Sequence, residues 1–119
     1  MAAFVVIDDR PEILDIIQLV LNLDKHTVRI FTNGHEAMAA LLVQSCDILF
    51  CDLNMPVVSG YTVVANLRAL SQFHNMIIIA LSAAEDLQQD IIMAAGFSGI
   101  LPKPFRAAEL RQCIARYWP

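Results

Sequence analysis

Four positions in this chain of 119 residues have the residue types and spacing for shared chemistry: the acidic pair Asp8-Asp9, then Asp52, Ser82 and Lys103. Each closes or closely follows a short apolar run: Phe4 to Ile7, Ile48 to Cys51, Met76 to Leu81 and Gly99 to Leu101. Three carboxylates brought together repel one another and raise at least one proton affinity unless a cation is present. A hard divalent ion relieves that repulsion. Mg²⁺ takes few carboxylates, keeps several waters and pairs with phosphate, so it suits two direct carboxylates plus a backbone carbonyl. A lysine and a hydroxyl at the same edge supply partners for an anion placed over Asp52. Phosphoryl transfer is mostly positioning and charge neutralisation, so this set suffices for Asp52 to act as a carboxylate nucleophile.

Taken singly, each feature has a plainer reading. Asp8-Asp9 ahead of Pro11 suits the start of a helix, whose dipole favours anions. Asp52-Leu53-Asn54 reads as a turn, and Lys103 as a solvated lysine. The functional reading rests on their joint placement, and the elements around them decide that placement. The apolar runs named above, with Thr27 to Phe31, are short, and four of the five are nearly continuous, as in parallel strands buried on both faces. Between them lie stretches of helical spacing: Ile13, Ile16/Ile17, Val20 and Leu21; Ala37, Leu41 and Leu42; Val63/Val64, Leu67 and Leu70; Leu87, Ile91 and Ala94; Leu110, Ile114 and Tyr117/Trp118. Pro11 fits the first turn of the first helix, and Gly96 the residue that closes the fourth.

Five β-α units predict an α/β fold: a single doubly wound domain over residues 1–119, with a five-stranded parallel sheet and helices on both faces; for the order 2-1-3-4-5 the direction reverses between strands 1 and 3. In such sheets ligands bind beyond the carboxyl ends of the strands, where the order reverses. Asp8-Asp9, Asp52, Ser82 and Lys103 all land on that edge.

Composition excludes other classes. The chain is 57% hydrophobic and 17% charged, with mean hydropathy +0.56. Its charge-free windows, Leu53 to Leu67 and Ala69 to Ala84, are broken by polar residues and fall short of the roughly 18 to 20 apolar residues of a spanning helix. No membrane association is expected. A net charge of −4 argues against direct nucleic-acid binding. The N-terminus lacks a positive region and reaches Asp8-Asp9 too soon for a secretory signal, and Cys46, Cys51 and Cys113 lack CxxC spacing, so a cytoplasmic protein with buried thiols is expected. His26, His35 and His74 have no ligand spacing and read as surface or strand-edge residues. Of Ile91-Ile92-Met93, mostly core is expected, with one side chain facing outward.

Four segments carry a resemblance: Ile7-Asp8-Asp9-Arg10-Pro11-Glu12, Cys51-Asp52-Leu53-Asn54-Met55-Pro56-Val57-Val58-Ser59-Gly60, Leu81-Ser82-Ala83 and Leu101-Pro102-Lys103-Pro104-Phe105. Together they resemble the signature segments of the receiver domain of two-component response regulators, over essentially the whole chain from Phe4 to Tyr117. The resemblance implies that Asp52 accepts a phosphoryl group from a histidine kinase or histidine phosphotransfer protein. It implies Mg²⁺ bound by Asp9, Asp52 and the Asn54 backbone carbonyl, with Asp8 acting through water. Ser82 would turn toward the phosphoryl group and Lys103 would pair with its oxygen, the Lys103-Pro104 bond being cis. The output would be a downstream protein target or an attached output domain, and homodimerisation through the face of helix 4, strand 5 and helix 5 is carried over as a hypothesis.

This sequence departs from the family pattern in one respect that matters. The strand 5 aromatic that usually partners the strand 4 hydroxyl is Ile100 here, which cannot swing a ring between buried and exposed positions. Ala84, two residues after Ser82, offers no hydrogen bond to a hydrolytic water, so autodephosphorylation is expected to be no faster than moderate. Two rivals follow. Ile100 favours an interaction module independent of phosphorylation. An aspartyl-phosphate phosphatase of the haloacid dehalogenase type would need an acid at position 54, where Asn54 stands. No Walker-type or G-x-G-x-x-G loop occurs.

Overall fold

The computed structural model describes residues 1–119. Strands β1 (Ala3–Ile7), β2 (Thr27–Phe31), β3 (Ile48–Asp52), β4 (Ile77–Ala83) and β5 (Gly99–Lys103) form one parallel sheet of order β2-β1-β3-β4-β5. They alternate with helices α1 (Pro11–Leu23), α2 (Gly34–Val43), α3 (Gly60–Arg68), α4 (Gln89–Ala95) and α5 (Ala107–Tyr117). This is the flavodoxin-like arrangement that the pattern predicts.

The continuous apolar runs have a direct cause. Side chains alternate across a strand, and both faces are covered. Val5 and Ile7, Leu49 and Cys51, and Ile78 and Ala80 enter one core, shared with Ala37 and Leu41 of α2, Val63, Val64 and Leu67 of α3, and Ile92 of α4. Phe4 and Val6, Ile48 and Phe50, and Ile79 and Leu81 enter the other, against Leu14, Ile17, Val20 and Leu21 of α1 and Leu110, Cys113 and Ile114 of α5. β2, at one edge, has no buried residue.

Local signals set the helix ends. Pro11 occupies the first turn of α1, Asn33 accepts a hydrogen bond from the Glu36 amide at 2.9 Å, and Ser59 caps α3 through the Thr62 amide. Gly96 closes α4 at φ 117°, as expected, and Arg68 fastens that end. Its guanidinium donates to the carbonyls of Gly96 at 2.9 Å and Phe73 at 2.7 Å. Across the other face Arg111 pairs with Asp24 at 2.7 and 3.0 Å, tying α5 to α1, and this pairing lowers the Asp24 pKa from its ordinary value.

Helix 4 departs from the expected pattern. Leu87 lies outside it, after a 3-10 turn at Ala84–Asp86, and Leu87, Ile91 and Ala94 are all exposed. The buried residue is Ile92 alone, while Ile91 and Met93 both face outward at 55% and 42% exposure, two residues where one was expected. A run of five apolar residues, Ile91 to Ala95, gives equal support to several helical registers, so periodicity cannot choose among them. Leu42 and Leu70, likewise placed on apolar faces, are exposed.

No helix is long and apolar enough to cross a membrane. The three cysteines are free thiols; burial pushes Cys46 up to about 12 and also raises Cys51 and Cys113. His35 and His74 are exposed, and the half-buried His26 accepts the Ala2 amide through Nδ1 at 3.0 Å beside β1.

Candidate functional site

Adjacent placement of β1, β3, β4 and β5 brings their carboxyl ends to one edge. Asp8, the residue after β1, is fully buried. Its Oδ1 accepts the Arg10 amide at 2.9 Å, and its Oδ2 lies 2.8 Å from Lys103 Nζ. Apart from that ion pair, Oδ2 has no partner. Asp9 follows and is exposed.

Asp52 ends β3 at 5% exposure. Lys103, at the end of β5, reaches past β4 to within 3.3 Å of Asp52 Oδ1, and the Lys103-Pro104 peptide is cis. Burial raises the Asp52 pKa most, the Asp8 charge raises it further, and Lys103 and the Asn54 amide oppose them, leaving Asp52 pushed up to about 6. A carboxyl poised there is ionised at neutral pH yet close to losing its charge under mild acid.

The structure thus brings Asp8, Asp9, Asp52 and Lys103 together. Asp9, Asp52 and Lys103 line a cavity of about 220 Å³ with Arg10, Asn54, Ala83 and Asp86. Ser82 is adjacent and buried, but its hydroxyl donates to the Ala83 carbonyl at 3.1 Å rather than toward Asp52. Sequence reasoning missed Arg10 and Asp86. Asp86 accepts a hydrogen bond from the Asn54 side-chain amide. No motif marks it; the one available signal was its place just beyond the end of β4, on the edge where the other groups collect.

The approach to the site is shaped by two backbone features. Gly60 opens α3 against the end of β3, where an added Cβ would strike the Asp52 carbonyl oxygen and come within 2.9 Å of Leu53 Cα. Val57 has φ 70° and is spanned by a hydrogen bond from the Val58 amide to the Pro56 carbonyl at 2.8 Å. This is a γ-turn of the strained kind, built on a β-branched residue that is 96% exposed.

Farther along the edge, half-buried Ile100 packs against the core and lines a groove of about 380 Å³ with Leu87, Gln89, Pro104, Gln112 and Arg116.

Oxygens of Asp8, Asp9 and Asp52 all lie within 4.8 Å of one another. An all-oxygen donor set of three carboxylates gathered this closely fits a hard divalent cation.

Comparison with known proteins agrees with this geometry. The chain is 31% identical over 111 residues to the transcriptional regulatory protein CpxR of Klebsiella pneumoniae, covering 92% of this chain and 46% of that one, so it spans less than half of CpxR's length. The chemotaxis response regulator CheY4 of Vibrio cholerae superposes with TM-score 0.92 at 28% identity, covering 98% of both chains. The receiver domain of the sensor histidine kinase PA1611 of Pseudomonas aeruginosa superposes with TM-score 0.87 at 29% identity, covering 98% of this chain and 96% of that one; it holds a magnesium ion in its active-site cleft. The model of the response regulator receiver domain matches residues 4–115. On that match, and on a sheet that gathers three aspartates and a lysine at one edge, the chain belongs to the response regulator receiver domain family, the phosphoacceptor switches of two-component signalling.

Proposed function

We propose that Asp52 accepts a phosphoryl group from a histidine kinase or histidine phosphotransfer protein, and that the acyl phosphate switches partner binding. An Asp52 carboxylate oxygen forms the new bond to phosphorus as the bond to the donor nitrogen breaks, and the electron pair leaves with that nitrogen. The observation that carries this reading is the buried ion-paired cluster in which Lys103 lies within reach of both Asp8 and Asp52. Asp9, Asp52 and the Asn54 backbone carbonyl would hold Mg²⁺, with Asp8 acting through water; Mg²⁺ supplies charge neutralisation for the phosphoryl oxygens. Lys103 holds a positive charge against the incoming group, and Ser82 supplies a hydroxyl once it rotates from Ala83.

The output is a downstream protein or an attached output domain, working in the cytoplasm. Leu87, which lines the groove with Ile100, and the exposed Ile91 and Met93 of α4 support pairing through the α4–β5–α5 face. Sedimentation that shows only monomer with and without beryllofluoride would remove that part of the reading.

Incubation with acetyl phosphate and Mg²⁺ tests the central step by intact mass. One phosphoryl group is expected on the wild type and none on Asp52→Asn; no gain, or equal gain in both, would overturn it. Ile100 favours a second reading, an interaction module that works without phosphorylation. Identical amide exchange with and without beryllofluoride would support that module over the switch.

A further inference from the structure

The loop after β3 and the turn after β4 are joined by one side-chain hydrogen bond, from the Asn54 amide to the Asp86 carboxylate. Both residues line the Asp52 cavity, and both also line a second depression of about 200 Å³ that contains Tyr61 and Gln88. The contact is therefore the partition between the two. Asp86 ends the 3-10 turn at Ala84–Asp86, four residues beyond Ser82. That turn leads into the shortest helix of the fold, which has seven residues, no side-chain cap and one buried side chain, Ile92. An element held by so little opens at low cost.

Two further observations place weight on this contact. The Ser82 hydroxyl is bonded to the Ala83 carbonyl, so that bond at the end of β4 must break before the hydroxyl meets an anion on Asp52. Ile100 supplies no ring whose swing could accompany that rearrangement.

We propose that the Asn54–Asp86 hydrogen bond is a latch that holds the turn after β4 at rest and is opened by the acceptor oxygens arriving on Asp52. The proposal rests on the reading of Asp52 as phosphoacceptor and names how that site is regulated in this chain. A phosphoryl group brings three acceptor oxygens into a cavity that Asn54 and Asp86 both line, so the Asn54 amide gains competing acceptors. That competition breaks the bond. The turn is then free to move with Ser82, and α4 moves with it. Asp86 is thus a positioning residue that acts through Asn54.

The test is beryllofluoride binding in the presence of Mg²⁺, with amide exchange over residues 84–95, on wild type, Asp86→Ala, Asn54→Ala and the double variant. Wild type must break the latch to bind. Each single variant should therefore bind beryllofluoride about fivefold more tightly, the equivalent of one modest hydrogen bond. The double variant should gain no more than either single one, because they remove the same contact. Exchange over 84–95 in the free variants should approach that of beryllofluoride-bound wild type. Asn54→Ala keeps the Asp86 charge, so a gain confined to Asp86→Ala would mean a field effect and would overturn the latch. Additive gains, or free-state exchange unchanged in both single variants, would overturn it too. Wild type that binds no beryllofluoride would instead defeat the reading of Asp52 as acceptor, a result seen without any variant.

Discussion

At the residue scale, Asp52 works against stability in order to work for chemistry. Its pKa rises from 3.8 to about 6 on folding, so between those values the folded chain binds more protons than the unfolded one. The stability that this group contributes is complete below pH 3.8 and is lost as pH rises through about 6. Asp52→Asn should therefore stabilise the metal-free protein by about 1–2 kcal/mol at pH 7.5, a figure discounted for the counter-charge of Lys103. Urea unfolding should show that difference disappearing at about pH 4, below which both carboxyl and amide are neutral; an equal difference at both pH values would refute it. Val57 holds a second local cost. Replacing this exposed β-branched residue at φ 70° with glycine, which has no Cβ to penalise positive φ, should raise stability by about 1 kcal/mol in the same assay. The acidic residues, Asp52 and Lys103 were legible from sequence because each sits where an apolar run gives out, so strand direction alone fixed their edge. The resting orientation of Ser82 was not legible, since a hydroxyl chooses between nearby acceptors and nothing in the chain records that choice.

At the scale of elements, legibility follows burial. β1, β3 and β4 are buried on both faces and read as unbroken apolar runs, while α1 and α5 each bury one clear stripe. The fourth helix was misread because it buries one residue amid five consecutive apolar ones, and Asp86 went unseen because it belongs to a turn just ahead of that helix that no motif marks. What anchors the far end of α4 comes from elsewhere in the chain, in Arg68. Arg68→Met keeps an aliphatic stem near Gly96 but strands the Gly96 carbonyl and takes one of two donors from the Phe73 carbonyl and from the Ser98 hydroxyl, which keep the Met76 and Ile78 amides. A loss of about 2 kcal/mol is expected, with amide exchange accelerated first around residues 93–99; uniform acceleration across the sheet would argue against a local clasp.

For the whole molecule, cation binding and folding should be linked through the edge where the strands end. Mg²⁺ at ten times its dissociation constant should stabilise the wild type by about 1.4 kcal/mol, because it binds the assembled carboxylates and not the unfolded chain. Asp9 is exposed and makes no ion pair, so Asp9→Asn should leave metal-free stability within about 0.5 kcal/mol and abolish the Mg²⁺ increment in thermal unfolding. A retained increment would remove Asp9 from the ligand set. The two cores that flank the sheet have one more effect, on the thiols. Burial keeps Cys46, Cys51 and Cys113 protonated at neutral pH, and the thiolate is the form that alkylating reagents attack. The native chain is therefore a quiet background for site-directed labelling. A single cysteine introduced by Ile91→Cys, on the solvent side of α4, would take a maleimide dye selectively and give the movement of that helix a fluorescent readout without removing any native cysteine.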